Sequence, residues 1–257
     1  MSAEDSGNLV DIGASQLCIR CTGYGTPTVV IDAGLGEGLN AWTSVQAQLA
    51  TLTRVCAYDR AGIGRSSPGP KPRTSRQMVS ELRSLLSHMK VDGPYVLVGH
   101  SLGGLNAQLY AAAYPAEVAG MVLVDPSFPD MLSRLKPVLG RIWAPLWNSQ
   151  FASDAEGMTQ QDFAASCAQA AAAGNLPDVP LVVLSAGQPV QLPPIISALF
   201  PSAATLRVMQ EGHASLAKRS SKGRQIIAEH STHASIARDD SVVGAIRQVI
   251  EQARGTG

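Results

Sequence analysis

The residues best placed to do chemistry lie in Gly99-His100-Ser101-Leu102-Gly103. The serine has a glycine two positions to either side. An apolar run of strand type, Tyr95 to Val98, precedes it, and a helical stretch, Leu105 to Tyr114, follows. This order predicts a strained strand-to-helix turn, too tight for side chains at the flanking positions. Such a turn lifts the serine hydroxyl clear of the sheet and aims the positive end of the helix at it. The hydroxyl then becomes a nucleophile toward a carbonyl carbon, provided that a base removes its proton. The five-residue pattern alone is common; the strand before it and the helix after it make it specific.

Five histidines are candidates for the base. His88 falls late in an amphipathic helical stretch, His213 falls in another, and His100 lies inside the turn, directed away from Ser101. His230 and His233 occupy the segment after the last strand, at the carboxyl ends of the strands, where open α/β sheets bind ligands. His233 is favoured. His230 directly continues the strand, where packing is its expected role.

The third group must accept a hydrogen bond from the far imidazole nitrogen and stabilise the imidazolium. The loop after the strand that follows residues 127–176, Ser185-Ala186-Gly187-Gln188-Pro189, holds no carboxylate, and the next acid is Glu211. One strand earlier, Asp125 stands at a strand end, before Pro126. An Asp-Pro pair is also a common turn former, and only the lack of a rival favours Asp125. Asp130 is the reserve, and Asp178 precedes its strand and falls at the wrong end. The order Ser101, Asp125, His233 suits this chemistry. Two backbone N–H groups should face the developing oxyanion. Leu102 supplies one and Leu35 the other, on the loop Ala33-Gly34-Leu35-Gly36-Glu37-Gly38, where Gly34 lets backbone approach the substrate.

The elements that must position these residues follow from hydrophobic periodicity. Strands are expected at 8–12, 16–22, 28–32, 54–58, 95–98, 118–125, 180–185 and 224–229. Helices are expected near 40–50, 74–88, 105–114, 204–220 and 241–253, with Trp42, Val45 and Leu49 on one buried face, and Met78, Leu82, Leu85 and Leu86 on another. Alternating strands and helices argue for a doubly wound, mostly parallel eight-stranded sheet with right-handed crossovers. Residues 127–176 break the alternation and carry Trp143, Trp147, Phe151 and Phe163. They read as a helical cap inserted into one core domain made of 1–126 and 177–257. Trp143, Trp147 and Phe151, spaced by four, share a helix face that serves either the cap core or the substrate pocket.

Composition narrows the function classes. With 257 residues, 45% of them hydrophobic, one α/β domain is expected. Lys+Arg and Asp+Glu balance at 20 each, which gives no basis for electrostatic capture of nucleic acid. The polar start lacks the features of a signal peptide, and no apolar run is long enough for a membrane span. Cys18-Ile-Arg-Cys21 sits in a strand, where residues three apart face opposite sides, and no second pair or nearby histidine completes a metal site. Cys18, Cys21, Cys56 and Cys167 are therefore expected to be free thiols in a cytoplasmic protein. The Asp59-Arg60 pair is expected to fix its own turn, and Gly62-Ile63-Gly64 lacks the context of a nucleotide loop.

The chain resembles the α/β-hydrolase superfamily along nearly its whole length outside residues 127–176. The residues that carry the resemblance are Tyr58-Asp59-Arg60-Ala61-Gly62-Ile63-Gly64-Arg65-Ser66, Gly93 to Gly104, Val122-Leu123-Val124-Asp125-Pro126 and Ser231-x-His233. It looks like the cofactor-free esterase and lactonase branch. The resemblance implies hydrolysis through an acyl-enzyme, with no cofactor and no metal. Two departures stand out: the loop that usually begins His-Gly reads Ala33-Gly34, and the acid after the post-insert strand is missing. The expected partner is a small to medium hydrophobic ester or lactone. The oligomeric state stays open, a homodimer among the options. A slow or non-turning small-molecule binding module on the same fold, and a perhydrolase, thioesterase or C–C hydrolase with the same parts, are the alternatives.

Overall fold

The structure is a computed structural model that describes residues 7–152, 155–191 and 200–255; the side chains at 141–150 and 152 are outside the description. Eight strands form one sheet: β1 (Asn8–Asp11), β2 (Gln16–Thr22), β3 (Thr28–Asp32), β4 (Val55–Asp59), β5 (Tyr95–His100), β6 (Val118–Val124), β7 (Leu181–Ala186) and β8 (Gly223–Ala228). Their order across the sheet is β1-β2-β4-β3-β5-β6-β7-β8. The β1–β2 and β2–β4 pairs are antiparallel and every other pair is parallel, as expected from the alternation of strand and helix.

Burial on both faces explains why the central strands are apolar without alternation. Val29 and Ile31, Val96 and Val98, and Val122 and Val124 point into one core, while Val30, Leu97, Met121 and Leu123 point into the other. The first core is closed by α1 (Thr43–Leu49) and the last helix, α7 (Asp240–Ala253). Trp42, Val45 and Leu49 meet Val242, Ile246, Val249 and Ile250 there. Trp42 ends a 3₁₀ turn over Leu39–Trp42, so the expected helix at 40–50 begins tighter than an α-helix. The second core is closed by α2 (Ser75–His88) and α3 (Leu102–Ala113), with Met78, Leu82, Leu85 and Leu86 all buried.

Between β6 and β7 lie α4 (Met131–Ala152), broken at Gly140 where φ is +59°, and α5 (Gln160–Ala172). Helix α6 (Ser202–Ala217) links β7 to β8. Helix α4 packs on α6, and α5 packs on α2 and α3. Ser166 Oγ of α5 accepts the Ser75 amide at the start of α2 (2.8 Å), supplying the cap that Thr74 does not provide through its side chain. The inserted stretch is thus knit to the core.

One expectation about the cysteines is corrected. Cys21 and Cys56, directly opposed on antiparallel β2 and β4, form a disulfide, and only Cys18 and Cys167 are free, both buried. Spacing along the chain pairs Cys21 with Cys18, but the strand register brings it to a partner 35 residues away. Disulfides are uncommon in reducing compartments, so the ground for expecting a cytoplasmic protein is removed. Among the described residues no helix is long and apolar enough to cross a membrane.

Candidate active site

Ser101 follows β5 directly and precedes α3, with φ +51° and ψ −115°. A side chain on Gly99 would collide with the Gly103 carbonyl, and one on Gly103 with the Asp32 carbonyl. The flanking glycines are therefore steric requirements of the turn. The strain is held by the end of β6 and the residues after it: Ser101 N donates to Val124 O (3.2 Å) and Ser127 N donates to Ser101 O (2.9 Å). Asp125, also at positive φ (+42°), sits between those two contacts.

Asp125 is 4% exposed. Its Oδ1 accepts the Ala186 amide (2.8 Å), and its Oδ2 lies 2.6 Å from His233 Nδ1. Ala186 ends β7, at the edge of the loop whose missing carboxylate directed attention to Asp125. The carboxylate reaches across from β6 to the end of that strand. Burial pushes the Asp125 carboxyl up, but the His233 hydrogen bond and neighbouring positive charge outweigh it and hold the pKa at about 2. Burial lowers the proton affinity of His233, while the Asp125 hydrogen bond and the charges of Asp125 and Glu37 raise it, with a net rise. The His233 side chain is 46% exposed, on a loop after β8.

Ser101, Asp125, His233, Leu35 and Leu102 line one cavity of about 490 Å³. The Ser101 hydroxyl has no hydrogen-bond partner among the described residues and opens into that space, a common state before substrate tightens such contacts. The amides of Leu35 and Leu102 also have no backbone partner among the described residues. Phe151, left open between the cap core and the pocket, lines the cavity with Phe163, Leu135, Leu139, Phe200 and Met209 and also packs against the core. Trp143 and Trp147 fall at positions whose side chains are outside the described residues.

Other expectations are revised. Gly34, expected at the substrate, has its polar groups engaged within the protein: its N–H donates to Glu37 Oε2 (3.1 Å), and its carbonyl accepts from Arg60 Nη2 (2.5 Å). His230 is exposed rather than packed, because β8 ends two residues before it. Asp130 is on the surface, paired with Arg134 at 2.6 Å and away from His233. Arg60 does not pair with Asp59. It reaches Asp32 (2.5 Å) and Glu156 (2.6 Å), while Asp59 accepts the amides of Leu39 and Arg65.

The contacts of three side chains near the site escaped sequence reasoning. Glu37 Oε2 lies 3.0 Å from His100 Nδ1, and His100 Nε2 lies 3.2 Å from the His233 carbonyl. His213 is fully buried, with Nε2 at 2.8 Å from Pro126 O, and Nδ1 at 2.9 Å from Ser185 Oγ and 3.7 Å from Asp125 Oδ1. The Pro126 carbonyl only accepts, so Nε2 carries a proton and Nδ1 can accept from the Ser185 hydroxyl. Burial lowers the pKa of His213, and its 3.7 Å approach is to Oδ1, which leaves Asp125 Oδ2 to His233. A histidine inside an amphipathic helical stretch was the only sequence signal for it.

Comparison with known proteins agrees with this fold. Residues 27–176 match the family model described as alpha/beta hydrolase fold. The uncharacterized protein YqjL of Bacillus subtilis is 39% identical over 106 residues, 41% of this chain and 42% of its own length. The chain matches less than half the length of the curated relatives to which it is similar. The solved enol-lactonase of Burkholderia xenovorans LB400 superposes with a TM-score of 0.61 at 18% identity, covering 94% of this chain and 99% of that one. A thermophilic esterase of Thermogutta terrifontis gives a TM-score of 0.61 at 21% identity, covering 96% and 98%. At such identities the likeness is one of fold. With the family model spanning more than half of the chain and the sheet order above, the chain belongs to the alpha/beta hydrolase fold family.

Proposed function

We propose that the protein is a serine hydrolase of carboxylic esters or lactones. The observation that carries this reading is the 2.6 Å contact of His233 Nδ1 with the buried Asp125 carboxylate, on the wall of the cavity into which the Ser101 hydroxyl opens. Asp125 holds the imidazole with its proton on Nδ1, which leaves Nε2 free to act as base. His233 takes the Ser101 proton as the oxygen attacks the substrate carbonyl. The amides of Leu102 and Leu35 stabilise the oxyanion. His233 then protonates the leaving alcohol, and water, activated by the same ring, releases the acid.

The lining of the cavity supports the substrate class. Beside Asp125 and His233, its described side chains are neutral, and most are apolar, with Met131, Leu135, Leu139, Phe151, Phe163 and Leu206 among them. Desolvating a charged substrate there finds no compensating partner. Uncharged esters or lactones with a medium-sized apolar acyl group fit best.

The test is hydrolysis of p-nitrophenyl acyl esters by wild type and Ser101→Ala, together with labelling by a fluorophosphonate probe. Loss of the nucleophile should lower kcat by roughly 10³-fold or more and abolish labelling. Wild-type-like rates in Ser101→Ala would overturn the reading. Labelling of Ser101 with no turnover on an ester and lactone panel would favour the binding module instead.

A further inference from the structure

Arg60 is 1% exposed and lies outside the cavity, yet its hydrogen bonds converge on the loop that carries Leu35. Nη1 donates to Asp32 Oδ1 and to Ala33 O, each at 2.5 Å. Nη2 donates to Gly34 O (2.5 Å) and Glu156 Oε1 (2.6 Å), and Nε donates to Glu156 Oε2 (2.8 Å). The Gly36 amide donates to Glu156 Oε1 (3.0 Å). The guanidinium and one carboxylate therefore hold the carbonyls of residues 33 and 34 and the amide of residue 36, on both sides of Leu35. Glu156 itself stands between α4 and α5, in the stretch inserted between β6 and β7.

The geometry points to a positioning role for this pair. We propose that Arg60 and Glu156 aim the Leu35 N–H at the oxyanion, and that Glu156 makes the inserted stretch a condition for assembling that donor. The physical reason is peptide planarity. In a trans peptide the C=O of one residue and the N–H of the next point in opposite directions. Pinning Gly34 O on the buried guanidinium turns the Leu35 N–H away from Arg60. Leu35 lines the cavity with Ser101 and Arg60 does not, so the direction away from Arg60 is the cavity side. The planar guanidinium commits its five N–H donors to two adjacent carbonyls and two carboxylates, and an ammonium, with three donors, cannot serve all five acceptors. The inference rests on the serine-hydrolase reading, because it concerns a donor to that reaction's oxyanion.

The test uses the full-length chain, with Glu156→Gln as the first variant and Arg60→Lys as the second. Rates are expressed per active site, titrated with a fluorophosphonate. An alkyl trifluoromethyl ketone, which forms a tetrahedral adduct with a serine, reports oxyanion stabilisation. Both variants should lose on the order of 10- to 100-fold in kcat per site, below the roughly 10²–10³-fold cost of deleting an oxyanion donor outright, because the donor is misaimed rather than removed. KM should stay within about 3-fold, and ketone affinity should fall in parallel with kcat/KM. The pH midpoint of kcat/KM should not move, because His233 and Asp125 are untouched.

A purely architectural role would lower the number of active sites and the melting temperature, but leave kcat and ketone affinity per site unchanged. That result in both variants overturns the proposal. If Ser101→Ala abolishes turnover while the Arg60 and Glu156 variants keep wild-type values per site, this inference alone fails. If Ser101→Ala keeps its activity, the hydrolase reading fails and this inference with it.

Discussion

His100 Nε2 lies 3.2 Å from the carbonyl oxygen of His233. The residue immediately before the proposed nucleophile thus tethers the loop that carries the proposed base. The other ring nitrogen faces Glu37 Oε2 at 3.0 Å, and the two rings lie 4.9 Å apart. The His100 side chain turns from Ser101, as expected from sequence, and in doing so reaches the loop of His233.

Removal of this tether should loosen His233 without touching Asp125. His100→Phe is expected to lower kcat by about 10-fold, the loss of one hydrogen bond of about 1–1.5 kcal/mol. KM should change little, because neither His100 nor Glu37 lines the cavity. Steady-state kinetics decide it: a variant with unchanged kcat would show that the 3.2 Å contact does not position the loop.

The rate should follow the protonation of His233. Asp125 and Glu37 raise its pKa above the ordinary 6.5 against the opposing effect of burial. The neutral ring is the base, so kcat/KM should fall as pH drops through a midpoint above that ordinary value. Asp125→Asn removes the charge that raises it, so the midpoint should move down and kcat should fall by roughly 10⁴-fold. A pH–rate profile of both forms tests this, and an unmoved midpoint would dissociate Asp125 from His233.

Acid should destabilise the fold through Glu37 and Asp125. The His100 hydrogen bond chiefly holds Glu37 at about 2, and Asp125 is also held at about 2. A depressed carboxylate contributes stability above its unfolded pKa and loses it as pH falls toward the folded value. Unfolding free energy should therefore drop from about pH 4.5 to about pH 2. Denaturant titrations should show a shallower drop for Glu37→Gln. Identical slopes would mean that its carboxylate gains nothing from His100.

The Cys21–Cys56 bond closes a separation of 35 residues. Chain-entropy reasoning gives about 4 kcal/mol for such a loop, so Cys21→Ser should lower Tm by about 10 °C. Melting curves with and without reductant provide the measurement. A curve insensitive to both changes would show that the bond contributes no stability.

Leu135 is buried at the wall of the cavity. Leu135→Phe should shorten the accepted acyl chain and lower the ratio of octanoate to acetate kcat/KM by about 10-fold. An unchanged ratio would place the acyl group elsewhere.

The sequence by itself determined the sheet, the turn at Ser101 and the short list of partners. Those follow from local rules: fully apolar runs are strands buried on both faces, and paired glycines mark where backbone crowds a strained residue. The empty loop at Ser185–Pro189 directs attention to Asp125, whose 2.6 Å contact with His233 is a matter of tertiary structure. What only the tertiary structure decided is how distant groups meet. Glu156 closes on Arg60 across 96 residues, His213 settles behind Asp125, and Cys21 finds Cys56 through strand register rather than spacing. Such pairings depend on crossover geometry and on the burial that makes an unpaired charge intolerable, and no periodicity along the chain records either.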